Sequence, residues 1–97
     1  MLESKVDQKI VEYAKKRGLV AIKLTMLAIY GFAGLPDRLF IGPNRVIFFI
    51  EMKSPGKTRT ALQKWWGDKL ESFGFNVYEC GDIEYGKQII DYELQPA

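Results

Sequence analysis

The chain has 97 residues, with 14 Lys and Arg against 12 Asp and Glu, a single cysteine and no histidine. One cysteine excludes an internal disulfide and a CxxC redox pair, and the absence of histidine excludes Ser-His and Cys-His nucleophiles and an ordinary zinc site. An enzyme of this composition must work with carboxylates, lysines and a bound hard cation.

The composition predicts one small globular domain that covers residues 1–97, because 47% of the residues are hydrophobic and 27% are charged. The longest apolar stretch, residues 26–36, is far shorter than the roughly 18 residues that span a bilayer. The first residues lack the apolar centre of a signal peptide. We therefore expect a cytoplasmic protein without a membrane span.

Charge is divided unevenly along the chain. Residues 1–70 carry 13 basic and 6 acidic side chains, whereas residues 71–97 carry 1 basic and 6 acidic side chains. A basic body with an acidic tail favours a polyanionic partner, although a solvated surface with segregated charges explains the same distribution.

An amphipathic helix is predicted first. Apolar residues at positions 2, 6, 10, 13 and 14 share one helical stripe that runs to about Arg17, and Gly18 supplies the stop. A β-prone run follows at residues 19–25, and a glycine-punctuated apolar segment follows that run. Residues 26–32 of this segment have three alternative uses: core packing, a dimer contact, or a wedge against DNA bases.

A β-hairpin is predicted next, from strands at residues 37–41 and 46–53. Thr60 and Gln63 then have the spacing of a capping box, which predicts a helix from there to about Phe73. Trp65 and Trp66 lie about 100° apart on this helix, so one can be buried while the other stays partly exposed.

The last two elements are a strand at residues 75–80 and a helix at residues 83–92 with Asp82 as its N-cap. Cys80 ends this strand and is expected to be a small buried residue. The complete order α-β-β-β-α-β-α predicts the α/β class, with a mixed central β-sheet flanked by helices.

A charged pair ends the apolar strand at residues 46–53. Glu51 and Lys53 are two residues apart, so their side chains project from the same face of the strand. A strand that simply emerges into solvent would explain an isolated Glu-x-Lys pair. Asp37, at the start of the preceding strand, favours a functional interpretation.

Asp37 and Glu51 can bind the same cation only if they lie opposite each other in the hairpin. That pairing also sets residue 41 against 47 and 42 against 46, and leaves a three-residue loop at residues 43–45. A register shifted by one residue would put the carboxylates on opposite faces. Two carboxylates and water suit Mg²⁺ or Mn²⁺, and Lys53 beside the ion could orient water or stabilise phosphate charge.

These residues, in this order, resemble the VRR-NUC family of the PD-(D/E)XK nuclease superfamily. The resemblance is carried by Gly34-Leu35-Pro36-Asp37-Arg38, Glu51-Met52-Lys53, Lys23-Leu24-Thr25, an acidic residue near the chain start and a helix bearing a glutamine. It extends over nearly the whole chain and implies a restriction-endonuclease-like core.

The resemblance also implies the members of an active site. Asp37 and Glu51 would be metal ligands, joined by Glu3 and the Met52 main-chain carbonyl, while Lys53 would be the catalytic lysine and Gln63 a supporting catalytic residue. Lys23 and Arg38 would contact DNA. From their position after the site, Lys57, Arg59 and Lys64 are also candidates for phosphate contacts, with solubility as their alternative use.

The implied activity is metal-dependent, structure-selective hydrolysis of DNA phosphodiester bonds by an endonuclease. Short members of the family are thought to act as homodimers on branched DNA such as Holliday junctions, which implies a role in DNA repair. A catalytically silent DNA-binding or assembly subunit with the same fold is the alternative from another class. A flap-directed or RNA-directed nuclease is a further alternative, since the metal chemistry is the same.

Overall fold

The chain order of helices and strands follows the predicted order α-β-β-β-α-β-α. A computed structural model describes residues 2–96. Its elements are α1 (Glu3–Lys16), β1 (Val20–Lys23), a 3-10 helix (Thr25–Tyr30), β2 (Arg38–Ile41), β3 (Ile47–Met52), α2 (Ala61–Ser72), β4 (Asn76–Cys80) and α3 (Ile83–Glu93). In the part of the chain described, no helix is both long enough and apolar enough to cross a membrane.

The four strands form one mixed sheet in the spatial order β1-β2-β3-β4. The first three strands are antiparallel neighbours, whereas β3 and β4 run parallel and are connected through α2. The predicted α/β class with a mixed central sheet is therefore confirmed.

The hairpin between β2 and β3 has the predicted register. Ile41 lies opposite Ile47, and the Gly42 amide donates a 2.8 Å hydrogen bond to the Val46 carbonyl. The loop between them contains Asn44 and Arg45 in the left-handed region, with φ of 57° and 64°. This loop length sets which residues face each other farther along the hairpin.

Local sequence signals define the helix ends. α1 stops one residue before Arg17, and Gly18 turns the chain with φ of 85°. The capping box at Thr60 and Gln63 opens α2, and the Asp82 carboxylate accepts a hydrogen bond from the Tyr85 amide at the start of α3. Leu2, which the sequence placed on the apolar stripe of the first helix, is instead the residue before α1 and is 77% exposed.

The main core lies between one face of the sheet and helices α1 and α3. Phe48, Ile50 and Met52 point into it from β3, and Cys80, only 1% exposed, packs with them as predicted. Because side chains alternate along a strand, Phe49, Glu51 and Lys53 project to the other face. The polar residues of the candidate site lie on that face.

Candidate active site at the end of β3

Asp37 and Glu51 lie opposite each other where the hairpin opens. The register that pairs Arg38 with Ile50 places the preceding aspartate against the following glutamate. One Asp37 carboxylate oxygen, Oδ2, accepts a 2.6 Å hydrogen bond from the Met52 amide, which ties the aspartate to the end of β3. Both side chains line a cavity of about 230 Å³.

Glu51 is the only charged residue among the buried residues of the described chain, with 5% of its surface exposed. Its Oε1 atom is buried without a hydrogen-bond partner. Burial raises the pKa of Glu51 to about 7, the nearby Asp37 carboxylate adds to this rise, and the Arg59 guanidinium partly opposes it. An unpartnered carboxylate oxygen of this kind is suited to bind a cation.

The pKa of Asp37 is also raised, mainly because the side chain is partly buried. The Met52 amide favours the ionised form and opposes this rise, whereas the Glu3 and Asp7 carboxylates add to it. Asp37 thus disfavours ionisation of Glu51, and Glu3 and Asp7 disfavour ionisation of Asp37, which indicates a place where positive charge is missing.

Lys53 extends into the same cavity from the end of β3. Its ammonium lies 3.3 Å from Oε1 of Glu79, a residue on β4. Glu79 also approaches Arg59, with 3.9 Å between its Oε2 and the guanidinium Nη1. Lys53 is therefore beside the carboxylates and held by a third acid.

Glu3 reaches the site from the first turn of α1. Its Oε2 accepts a hydrogen bond from the Ser54 hydroxyl, and its side chain lines the cavity with Asp37 and Glu51. Residues 2–96 contain no group of three or more His, Cys, Asp or Glu side chains arranged to hold a metal ion. A metal ligated by Glu3 therefore stays a prediction, as does ligation by the Met52 carbonyl.

Gln63 lies at the cavity wall in the first turn of α2 and has a structural task as well. Its side-chain oxygen accepts a 2.8 Å hydrogen bond from the Thr60 amide, and the Thr60 hydroxyl accepts one from the Gln63 amide. This reciprocal capping box fixes the glutamine at the site. The side-chain NH₂ group of Gln63 is not used by the cap.

The basic residues expected to contact DNA fall into separate places. Lys57 and Arg59 line the carboxylate cavity. Lys23 and Arg38 line a neighbouring cavity of about 250 Å³ that shares Glu3, Asp37 and Met52 with the first. Lys64 is exposed on α2 outside the lining of both cavities.

Arg38 is already engaged within the protein. Its guanidinium makes two hydrogen bonds to the Asp7 carboxylate, of 2.9 and 2.8 Å, and this pair is partly buried. A contact between Arg38 and DNA would have to compete with this bidentate pair. The geometry favours a role for Arg38 in fixing α1 against the sheet.

The apolar segment at residues 26–32 does not form core. None of the residues of the 3-10 helix is buried, and Ile29 is 82% exposed. Trp65 of α2 is 53% exposed, whereas Trp66 is partly buried and its Nε1 donates a 3.1 Å hydrogen bond to the Ala33 carbonyl. The two tryptophans thus differ in exposure as predicted.

Glu79, Ser54 and Thr58 also line the carboxylate cavity and were not among the predicted site residues. The signal for Glu79 was a single charged residue in the strand sequence Asn76–Cys80. The sequence does not show how a parallel strand is aligned with its neighbour, so the proximity of Glu79 to Glu51 could not be derived.

Comparison with known proteins places these observations in a family. No family model matches the chain. A curated relative, "Putative nuclease p44" of Acyrthosiphon pisum secondary endosymbiont phage 1, is 33% identical over 75 residues, which are 77% of this chain and 77% of the relative. A solved structure described as a VRR_NUC domain is 26% identical, with a TM-score of 0.80 over 93% of this chain and 95% of that chain. The predicted restriction-endonuclease-like fold is thereby confirmed.

Proposed function

Because the chain belongs to the VRR-NUC family of nucleases, we propose that it is a Mg²⁺- or Mn²⁺-dependent endodeoxyribonuclease. The observation that carries this proposal is the buried Glu51 carboxylate, which has an oxygen without a hydrogen-bond partner and belongs to a side chain that lines a cavity with Asp37 and Lys53. A buried anion without a partner is costly, and a bound cation removes that cost.

The donor set fits a hard cation. The Met52 amide occupies Oδ2 of Asp37, which leaves the other carboxylate oxygen for a metal, and Glu51 offers its free Oε1. Mg²⁺ keeps several waters, so two carboxylates, with Glu3 and the Met52 carbonyl as further candidates, are a sufficient protein contribution. When bound, the ion supplies Lewis-acid polarisation of a phosphoryl oxygen and a water of lowered pKa.

Lys53 and Gln63 have distinct tasks in this proposal. The Lys53 ammonium, beside the carboxylates, stabilises the negative charge that develops on the transferring phosphate and orients the attacking water. The Gln63 side-chain amide, held at the cavity wall by the capping box, donates a hydrogen bond to that water or to a phosphate oxygen. No histidine is needed for either task.

DNA is the proposed substrate, held through its phosphates. Lys57 and Arg59 line the cavity, and the exposed Lys64 lies one residue beyond Gln63 on α2. Phosphate contacts position a nucleic acid without reading its bases. This arrangement supports selection by DNA shape and therefore cleavage of branched DNA such as four-way junctions.

We further propose that two copies of the chain act together as a homodimer. The exposed apolar residues include Met26, Ile29, Tyr30, Phe32 and Trp65. A whole aromatic side chain carries about 150–250 Å² of surface, so the three aromatic members, which are 45–72% exposed, offer roughly 250–430 Å² between them. With Met26 and Ile29 added, this is a large part of one side of a standard interface, about 800 Å². Two sites related by a two-fold axis suit paired cuts in a four-way junction.

The test is cleavage of labelled four-way junction, flap, linear duplex and RNA substrates with Mg²⁺, Mn²⁺ or EDTA. We expect metal-dependent cutting that is fastest on the junction, and loss of cutting in Asp37→Asn and Lys53→Met. Lys87→Met is the matched control, since Lys87 is on α3 and pairs with Glu84 at 3.8 Å. It should cut at the wild-type rate.

Other results of these cleavage assays would contradict one part of the proposal each. Absence of cleavage with both metals would indicate a silent DNA-binding or assembly subunit. Faster cleavage of flaps or of RNA than of junctions would contradict the proposed substrate while supporting the proposed chemistry. Cleavage by Asp37→Asn would show that the site is elsewhere.

A further inference from the structure

Three carboxylates form a row across neighbouring strands of the sheet. Asp37 precedes β2 and lies opposite Glu51 of β3, and Glu51 is in register with Glu79 of the parallel strand β4. Residues in register on neighbouring strands project to the same face. All three side chains line the same cavity.

The third carboxylate differs from the other two in its partners. Glu79 has one oxygen 3.3 Å from the Lys53 ammonium and the other 3.9 Å from the Arg59 guanidinium. Glu51 by contrast has an oxygen with no partner. The charge of Glu79 is thus already compensated by two cations, which makes it a poor competitor for a metal ion.

We propose that Glu79 is a positioning residue that holds the Lys53 ammonium beside the Asp37 and Glu51 carboxylates. The inference rests on the role proposed above for Lys53. Lys53 follows β3 directly, and its side chain is about half exposed. A lysine side chain has a flexible four-carbon stem and about 2 kcal/mol of rotamer entropy, so without an anchor it would spread over many positions.

The position of Glu79 predicts opposite effects on binding and on the rate of cleavage. A carboxylate in a cavity that receives a phosphate repels the substrate, so removing its charge should leave DNA binding unchanged or tighter. The same change releases Lys53, and small displacements of a catalytic group lower the rate by about 10- to 100-fold. A residue that only stabilised the fold would not separate the two quantities.

The experiment compares Glu79→Gln with Glu84→Gln, an exposed acid of α3 that pairs with Lys87 instead. Single-turnover cleavage should slow by about 10- to 100-fold in Glu79→Gln, with the Kd for DNA equal or a few-fold lower and the Kd for Mn²⁺ within about two-fold. Glu84→Gln should match the wild type in all three. Glu79→Asp, which keeps the charge on a shorter side chain, should also be slow.

The engagement of the Lys53 ammonium can also be measured in the metal-free protein, without any cleavage assay. Acetylation of lysines, followed by mass spectrometry, measures how strongly each ammonium is engaged. Glu79→Gln should raise the labelling of Lys53 a few-fold relative to Lys64, which is on α2 and exposed. Because both changes act on one group, Glu79→Gln should not lower any rate that Lys53→Met leaves measurable at high enzyme concentration.

Three results would overturn the proposal. A loss of Mn²⁺ affinity above about ten-fold in Glu79→Gln would show that Glu79 acts on the metal, as a ligand or as a partner of one, rather than on Lys53. An unchanged cleavage rate in Glu79→Gln and Glu79→Asp would remove any positioning role. Unchanged Lys53 labelling would show that the ion pair between Lys53 and Glu79 is absent in solution. The labelling can be measured even if the wild type cleaves no DNA. Absence of cleavage by the wild type would contradict the proposed nuclease chemistry and not the ion pair.

Discussion

Asp37 and Glu51 face each other across the mouth of the β2–β3 hairpin, and only one of the two has a hydrogen-bond partner from the backbone. Asp37 accepts a hydrogen bond from the Met52 amide, whereas Glu51 keeps a buried oxygen without any partner. The pair therefore combines a carboxylate that is held by a hydrogen bond with a carboxylate that has a buried oxygen without a hydrogen-bond donor. In the proposed function, a bound cation would supply the missing positive charge.

Stability without metal should fall as the pH rises through the titration of Glu51. The pKa of Glu51 is about 7 in the folded chain, against 4.5 for an ordinary glutamate. Between these values the folded state binds more protons than the unfolded state, so the free energy of unfolding decreases from about pH 4.5 to about pH 7. A shift of this size, reduced by solvent in the open cavity, corresponds to about 1–3 kcal/mol.

Glu51→Gln removes the free-energy cost of burying the ionised carboxylate, so comparing its stability with that of the wild type measures this cost directly. In EDTA at pH 8 the variant should be more stable than the wild type by about 1–3 kcal/mol in urea unfolding, and at pH 4.5 the difference should vanish. With Mg²⁺ or Mn²⁺ the order should reverse, since only the wild type gains binding free energy, about 4.1 kcal/mol at a concentration 1,000 times the Kd. A wild type that remains the more stable protein in EDTA at pH 8 would contradict the burial argument.

Gln63 should contribute to cleavage beyond its task in the capping box. Thr60→Ala and Gln63→Ala each remove half of the cap and should lower stability by about 0.5–2 kcal/mol. Only Gln63→Ala removes the side-chain amide from the site, so its cleavage rate should be at least about ten-fold below that of Thr60→Ala. Thermal unfolding and single-turnover rates of the two variants check this.

The comparison of Thr60→Ala with Gln63→Ala can also contradict a catalytic role for Gln63. Equal losses of stability together with equal losses of rate would mean that Gln63 acts only as a helix cap. Gln63→Glu, which preserves the capping-box geometry, should keep the stability and still cut slowly.

The hairpin and the helix caps could be predicted because the signals are local. Loop length and alternation together set Asp37 against Glu51, and the Thr60 and Gln63 spacing marked the start of α2. The alignment of β4 with β3 could not be predicted, because a parallel crossover through α2 leaves the register to tertiary packing. Glu79 was missed for that reason.

Exposure was harder to derive than secondary structure. Residues 26–32 are apolar enough for a core, yet the 3-10 helix that contains most of them has no buried residue. Arg38 occupies the position implied by the family motif, but its pairing with Asp7 depends on where α1 lies against the sheet. Both facts follow from packing between distant segments, which no local pattern reports.

Lys57 should contribute to DNA binding through phosphate. Lys57→Ala should lower the slope of log Kd against log salt by about one and weaken binding similarly for every DNA sequence. Lys9→Ala is the control, because Lys9 lies on α1 beside Glu12 and outside both cavities of the site. Fluorescence anisotropy at several salt concentrations, with Ca²⁺ in place of Mg²⁺, provides the slopes.

Equal slopes for the wild type and Lys57→Ala would remove this residue from the proposed DNA path. A lower slope in Lys9→Ala would extend the path to the α1 and α3 side of the protein.

The exposed apolar surface should mediate self-association. Ile29→Lys places a charge at the most exposed of these residues, and charges are disfavoured at the centre of an interface. We expect light scattering at micromolar concentration to give a dimer mass for the wild type and a monomer mass for the variant. Tyr92→Ser is the control, since Tyr92 is an exposed aromatic residue of α3. It should remain dimeric.

Cleavage then separates the two uses of this surface. If the dimer aligns two sites for paired cuts, Ile29→Lys should nick one strand of a junction and lose the coupled second cut, while the rate of the first cut changes little. A monomeric wild type, with and without DNA, would contradict the homodimer. Weakened DNA binding by Ile29→Lys in that monomer would instead show that this surface contacts DNA bases.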